Sequence, residues 1–131
     1  MADRLGEKAR KALQEATFWT IATVNPDGSP QATVVWIDLR DDHILVNSAV
    51  GRRKPRNVER DPRVALTWFD PNSVFETIQI QGRVARSYTG EQADADIDAL
   101  ARKYLGRDYP FRREGEQRIS FLIEPTHSSE P

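Results

Sequence analysis

Between residues 51 and 57 the sequence reads GRRKPRN, which sets Arg52, Arg53, Lys54 and Arg56 within seven positions. Cations this crowded repel one another unless an anion shares them, and a phosphate satisfies several N–H donors at once. The stretch RKPRNVERDP predicts a short helix, with Pro55 suited to a first helical position and Asp61-Pro62 ending it. Lys54 stands where a Ser, Thr, Asp or Asn cap belongs. Cations at the positive end of a helix dipole cost about 0.3–1 kcal/mol each. Two readings follow. The charges form a solvated turn and pair with Asp41, Glu59 and Asp61, or a bound anion completes the uncapped helix start. The single glycine, Gly51, rules out a P-loop, which needs a GxxxxGKS or GxxxxGKT pattern.

Other chemistry is sparse. There is no cysteine, so disulfides and thiol catalysis are excluded. His43 and His127 are the only histidines, and no HExxH or Asp-rich loop accompanies them, which argues against a metal site. No GxSxG elbow is present. Asp94, Asp96 and Asp98 fall on a helix at a spacing that spreads them over its polar side, where a solvated face is expected. With no acid, base or nucleophile in evidence, no catalytic residue is assigned. A bound cofactor that carries the chemistry itself reconciles this gap with a phosphate-sized cluster of cations.

The elements that would position the cluster are mostly strands. A helix is expected over residues 3–16, capped by Asp3, with Leu5, Ala9, Ala12, Leu13 and Ala16 on one narrow stripe. TFWTIATV and QATVVWID flank NPDGS, a hairpin turn, and LRDD turns into a third strand, HILVNS. VALTWF, a long strand over 76–87, and 118–124 complete the set, with Pro125 ending the last strand. Thr89 and Gln92 predict a capping box for a helix whose stripe is Ile97, Leu100, Ala101, Tyr104 and Leu105, closed by Gly106. The expected architecture is mainly β (α+β): a six-stranded antiparallel barrel with helices outside it. One domain spans 1–131, with an N-terminal helical segment 1–16, a barrel over 17–125 and a tail 126–131. Trp19, Trp36, Trp68 and Phe75 are many large rings for so small a barrel. A homodimer would bury some of them, although a core position is favoured for each tryptophan.

The 131 residues suit one domain, and the net charge of −1 leaves no global pull toward nucleic acid. No apolar run approaches the roughly 20 residues of a membrane span. A soluble, cytoplasmic protein is expected.

Taken in order, FWTIATVNPDGSPQATVVWID, ILVNS, GRRKPRNVERDPRVAL and IQIQGRVA resemble the pyridoxamine 5'-phosphate oxidase-like split β-barrel family. The likeness is greatest to its branch that uses the deazaflavin coenzyme F420. It spans residues 10–125, and GRxKxRNxxxDPR is its most specific part. The resemblance implies a homodimeric split barrel with the cofactor in a groove between subunits. It assigns phosphate binding to Arg52 and Lys54, completed by Arg56 and Asn57, and leaves Arg53 to solvent. It assigns the ring system to Gln31, Thr33, Val46, Asn47 and Ser48, with Phe75 as an aromatic from the partner. FMN-binding oxidases of the family carry a further Arg…Lys pair on the second strand, which QATVVWID lacks. The C-terminal substrate segment of pyridoxamine phosphate oxidases has no counterpart before SSEP. The implied activity is hydride transfer from reduced coenzyme F420 to an electron-poor small molecule. The alternatives are an FMN-binding oxidoreductase and a non-catalytic protein holding a flavin or haem-type ligand.

Overall fold

The computed structural model describes residues 5–131. Its elements are α1 (Glu7–Gln14), β1 (Trp19–Val24), β2 (Pro30–Val35), β3 (Asp38–Arg40), β4 (His43–Ala49), α2 (Arg53–Arg60), β5 (Arg63–Asp70), β6 (Ser73–Tyr88), α3 (Glu91–Leu105) and β7 (Arg118–Ser129). The strands form one antiparallel sheet in the order β2-β1-β5-β6-β7-β4-β3. This is the expected split β-barrel with peripheral helices, with one short strand more than the six foreseen.

The extra strand arises because QATVVWID is interrupted. The Ile37 N–H donates to the Tyr104 hydroxyl (3.0 Å) instead of to a strand, and that hydroxyl donates to the Thr17 carbonyl (2.6 Å). Burial raises the Tyr104 hydroxyl to about 12, so it stays a donor at neutral pH. Trp36 stacks on the same ring at 5.3 Å. LRDD, read as a turn, therefore starts as strand, and Asp38–Arg40 pairs with β4.

The core is built from the inward residues of the alternating strands, including Trp19, Ile21, Ile44, Val46, Leu66, Ile80, Phe121 and Ile123. Trp19 is fully buried, and Trp68 stacks on it at 6.1 Å. α1 plugs one side with Ala9, Ala12 and Leu13 of the expected stripe; Leu5 is buried just before the helix, and Ala16 lies beyond it and is exposed. The Asp3 cap falls outside the described residues. Gly6 is the N-cap of the helix, and the Ala9 N–H donates to the Glu130 carboxylate at 2.8 Å. A Cβ on Gly6 would come within 1.8 Å of that carboxylate, so a larger residue here would have to push the Glu130 side chain off the helix start.

Two more expectations change. β7 does not stop at Pro125 but runs to Ser129. The ring sits at a bulge where Gln81 faces His127 and Gly82 faces Pro125, a position that asks no N–H of the ladder. The capping box does not form: the N-cap of α3 is Gly90, and Gln92 donates to Asp96 (2.9 Å) instead.

Gly82, the glycine of QGR, faces that bulge. A Cβ there would meet the Glu124 carbonyl oxygen at 2.7 Å and Ile123 Cγ2 at 2.9 Å. Gly82→Ala should therefore cost about 2 kcal/mol and lower Tm by about 6 °C in a thermal melt. An unchanged Tm would show that β6 and β7 can part without penalty.

One face of the sheet carries no charge across its middle. Cross-strand registers set Val34, Thr20, Thr67 and Gln79 in one row and Ala32, Ala22, Ala65 and Gln81 in the next. Val34 is 65 % exposed in the single chain, and Phe75, beyond the rows on β6, is 93 % exposed. No helix among the described residues is long and apolar enough to cross a membrane.

Candidate functional site

β4 ends at Ala49, and the chain turns into α2 through Gly51, whose φ of +94° suits only glycine without strain. α2 starts two residues earlier than its sequence indicates. Arg52 is the N-cap, no side chain caps it, and Pro55 lies in the third helical position. Proline is harmless there because the first four N–H groups of a helix lack intrahelical partners. The uncapped start foreseen from the sequence is present, two residues upstream.

The cations separate into distinct environments. Arg53 reaches Asn25 Oδ1 (3.3 Å). Arg56 is exposed. Arg52 forms an ion pair with Glu116 (3.6 Å), and Glu116 also accepts from Arg118 Nη1 (2.8 Å). Lys54 is partly buried, and no acceptor meets its ammonium among the described residues. Burial, then the charges of Arg52 and Arg118, pull it below the usual lysine range. Of the partners named for a solvated turn, Asp61 is bound instead by Arg63, in two contacts of 3.0 and 2.7 Å, and is held at about 2. The Lys54 ammonium is thus kept partly out of water near two guanidinium groups and the uncapped start of α2, an arrangement whose chemistry suits an anion.

Arg118 was not foreseen as part of this cluster. It opens β7 opposite Ala49 and is only 4 % exposed. Its Nε donates to Asn47 Oδ1 (2.9 Å), and its guanidinium lies over the Tyr109 ring at 5.0 Å. The Asn47 amide nitrogen donates to the Ala93 carbonyl (3.0 Å) and to Ser120 Oγ (2.9 Å). Ser120 Oγ in turn donates to Asp96 Oδ2 (2.7 Å). Asp96 also accepts from Arg40 (2.8 Å), from Gln92 and from the Tyr88 hydroxyl. This corrects the solvated-face reading, since Asp96 is 1 % exposed. Burial alone would raise its carboxyl, but Arg40, Tyr88, Ser120 and Gln92 together hold it below the ordinary value. Its position three residues after Ala93 and next to Ile97, inside the apolar stripe of α3, was the available signal.

The remaining residues divide by strand face. Asn57 is buried and donates to Thr23 Oγ1 and Asn25 Oδ1, both at 3.0 Å, so it fastens α2 to β1. Gln31 joins the same network by accepting from Thr23 Oγ1 (3.2 Å). Val46 and Ser48 share the core side of β4, while Asn47 faces α3, so their side chains do not line one surface. Thr33 Oγ1 is buried without a hydrogen-bond partner among the described residues. Phe75 stands near the β5–β6 turn, at the far end of β5 from α2. At that end a cleft of about 720 Å³ opens between α1 and the hairpin, with Phe18, Trp68, Phe69 and Ile78 among its walls and Lys8 and Glu76 paired across it (3.4 Å).

The strands form an antiparallel split β-barrel, and a cluster of cations stands where β4 turns into α2. The chain belongs to the pyridoxamine 5'-phosphate oxidase family, whose model matches residues 5–129. It is 32 % identical over 90 residues to the pyridoxine/pyridoxamine 5'-phosphate oxidase of Rubrobacter xylanophilus, covering 68 % of this chain and 41 % of that one. With the enzyme of the same description from Cupriavidus necator it shares 29 % identity over 132 residues, or 91 % of this chain and 62 % of that one. The chain thus spans less than two thirds of the length of either oxidase. Among solved structures, an F420 reductase superposes with a TM-score of 0.85 at 24 % identity, covering 97 % of this chain and 100 % of that one. Group A Streptococcus HupZ follows the same fold with a TM-score of 0.70 at 15 % identity, over 96 % and 94 % of the two chains.

Proposed function

We propose that this protein is an oxidoreductase that binds coenzyme F420 by its phosphate and reduces an electron-poor small molecule. The observation that carries the proposal is Lys54, a partly buried ammonium with no acceptor among the described residues, beside the uncapped start of α2. Arg52, Lys54 and Arg56 would hold the phosphate, assisted by free backbone N–H groups of α2. Asn57 keeps α2 seated on β1 and so fixes the spacing of the cations. The orphaned Thr33 hydroxyl and the Gln31 side chain, on the same face of β2, are the polar groups offered to a ring system, with Ser48 and the backbone of Val46 and Asn47 on β4. When bound, the cofactor supplies the hydride. The protein orients it, anchors its phosphate and excludes water, and no side chain acts as nucleophile.

The protein acts as a homodimer in this proposal. The uncharged rows on β2, β1, β5 and β6 are the surface a second copy would cover, and the Phe75 of that copy is the aromatic assigned to the ring. The family relationship supports flavin-type cofactors in general. FMN in the same site is the second reading, favoured by the relatedness to two pyridoxine/pyridoxamine 5'-phosphate oxidases.

A fluorescence titration with both cofactors separates the two. Binding of coenzyme F420 without FMN is expected, and the reverse result would replace the first reading by the second. Failure of both to bind would overturn the cofactor site. Reoxidation of the bound, reduced cofactor by a panel of electron-poor acceptors then distinguishes an enzyme from a carrier.

A further inference from the structure

The cation cluster already contains one carboxylate. The Glu116 side chain is 8 % exposed and bridges Arg118 (2.8 Å) and Arg52 (3.6 Å). Two of the cations, Arg52 and Arg118, thus share a single internal anion. Lys54 feels both guanidinium groups, and no carboxylate pairs with it among the described residues. Glu116 is not needed to aim Arg118, because Asn47 Oδ1 holds its Nε (2.9 Å). The Asn47 amide cannot turn away, since its nitrogen is committed to Ala93 and Ser120. The line of donors from Arg118 through Asn47 and Ser120 to Asp96 runs in one direction and ends on a buried carboxylate.

We propose that Glu116 is the resident anion of this site, a stand-in for the ligand phosphate, and that Arg118 is a third ligand-binding cation released when Glu116 is displaced. The proposal rests on the anion-site reading given above. A phosphate approaching Lys54 meets the Glu116 charge across the same guanidinium groups, so either the two repel or the carboxylate leaves. Leaving is possible because Glu116 belongs to the segment between α3 and β7, outside any helix or strand. That segment is held by the Glu116 N–H on the Arg113 carbonyl (3.0 Å), by the Val50 N–H on the Gln117 carbonyl (2.8 Å), by the Tyr109 N–H and Arg112 on Asp98 (2.9 Å each) and by Tyr109 beneath Arg118, and these ties must loosen for the carboxylate to leave. Ligand binding is therefore coupled to movement of residues 107–117. Binding is weaker than the three cations alone would give, by the cost of expelling an internal competitor.

The test is a titration of the whole chain with inorganic phosphate, followed by NMR, for wild type, Glu116→Gln and Arg118→Gln. Glu116→Gln keeps the shape and removes the competing charge. Its phosphate affinity should rise about fivefold or more, and that of Arg118→Gln should fall by a similar factor. Hydrogen exchange of residues 107–117 should speed up when wild type binds phosphate. If phosphate binds wild type but Glu116→Gln binds no better, or binds worse, Glu116 merely positions Arg118 and the proposal fails. An unchanged affinity in a folded Arg118→Gln would remove Arg118 from the site. If phosphate binds none of the three proteins, the anion site itself is wrong, which is a separate outcome.

Discussion

Lys54→Ala weakens binding of the phosphorylated cofactor at least about tenfold, the scale of a lost charge-assisted contact of ~1.5–3 kcal/mol. The same substitution leaves the unliganded protein as stable as before, or slightly more so. These two outcomes belong together. Among the described residues Lys54 has no ion-pair partner and is partly desolvated near Arg52 and Arg118, so its charge adds nothing favourable to the fold. A structural lysine would behave in the opposite way. Lys103, for comparison, donates to the Leu13 and Ile37 carbonyls (2.8 and 2.6 Å), and its loss should be felt in stability. A Lys54→Ala protein that binds cofactor normally, or one that loses several degrees of Tm without ligand, would show that the site has been misplaced.

The largest effect on stability is expected from Asp96→Ala, about 3 kcal/mol and a fall in Tm of about 10 °C. Removing the carboxylate strands Ser120, Gln92 and Tyr88, and leaves the half-covered Arg40 to find water. The pH dependence carries a second signature. The folded carboxyl lies below its unfolded value of 3.8, so between those two values the unfolded chain binds more protons. The Asp96 contribution is therefore complete above the unfolded value and is lost as pH falls through the folded one. Acid titration of stability should show this loss in wild type and lack that component in Asp96→Ala. Equal Tm values for the two proteins would mean that the network is ornamental.

Sequence made the order of strands and helices legible because hydrophobic period and turn chemistry are local signals. The NPDGS hairpin, the stripe of α1 and the uncapped start of α2 each depend on residues within one or two turns of chain. Where the expectation failed, the deciding partner was distant. β2 breaks because Tyr104, 67 residues after Ile37, takes its N–H. Asp96 is buried because Arg40 and Ser120 converge on it from 56 and 24 residues away. Pro125 stays within a strand because β6 bulges opposite it. The cation cluster shows the same division. Arg52 and Lys54 announce themselves by crowding, whereas Arg118 and Glu116, alone in sequence, acquire their place only when β7 pairs with β4.

The hold of Glu130 on the start of α1 makes the described chain nearly circular. Residues 121 positions apart are joined at one corner of the molecule. Probes attached near Lys8 and near Pro131 would therefore sit side by side in the native state and drift tens of ångströms apart once the chain opens. A donor–acceptor pair placed there would give a distance readout of global unfolding, far from the cations and blind to whatever they bind.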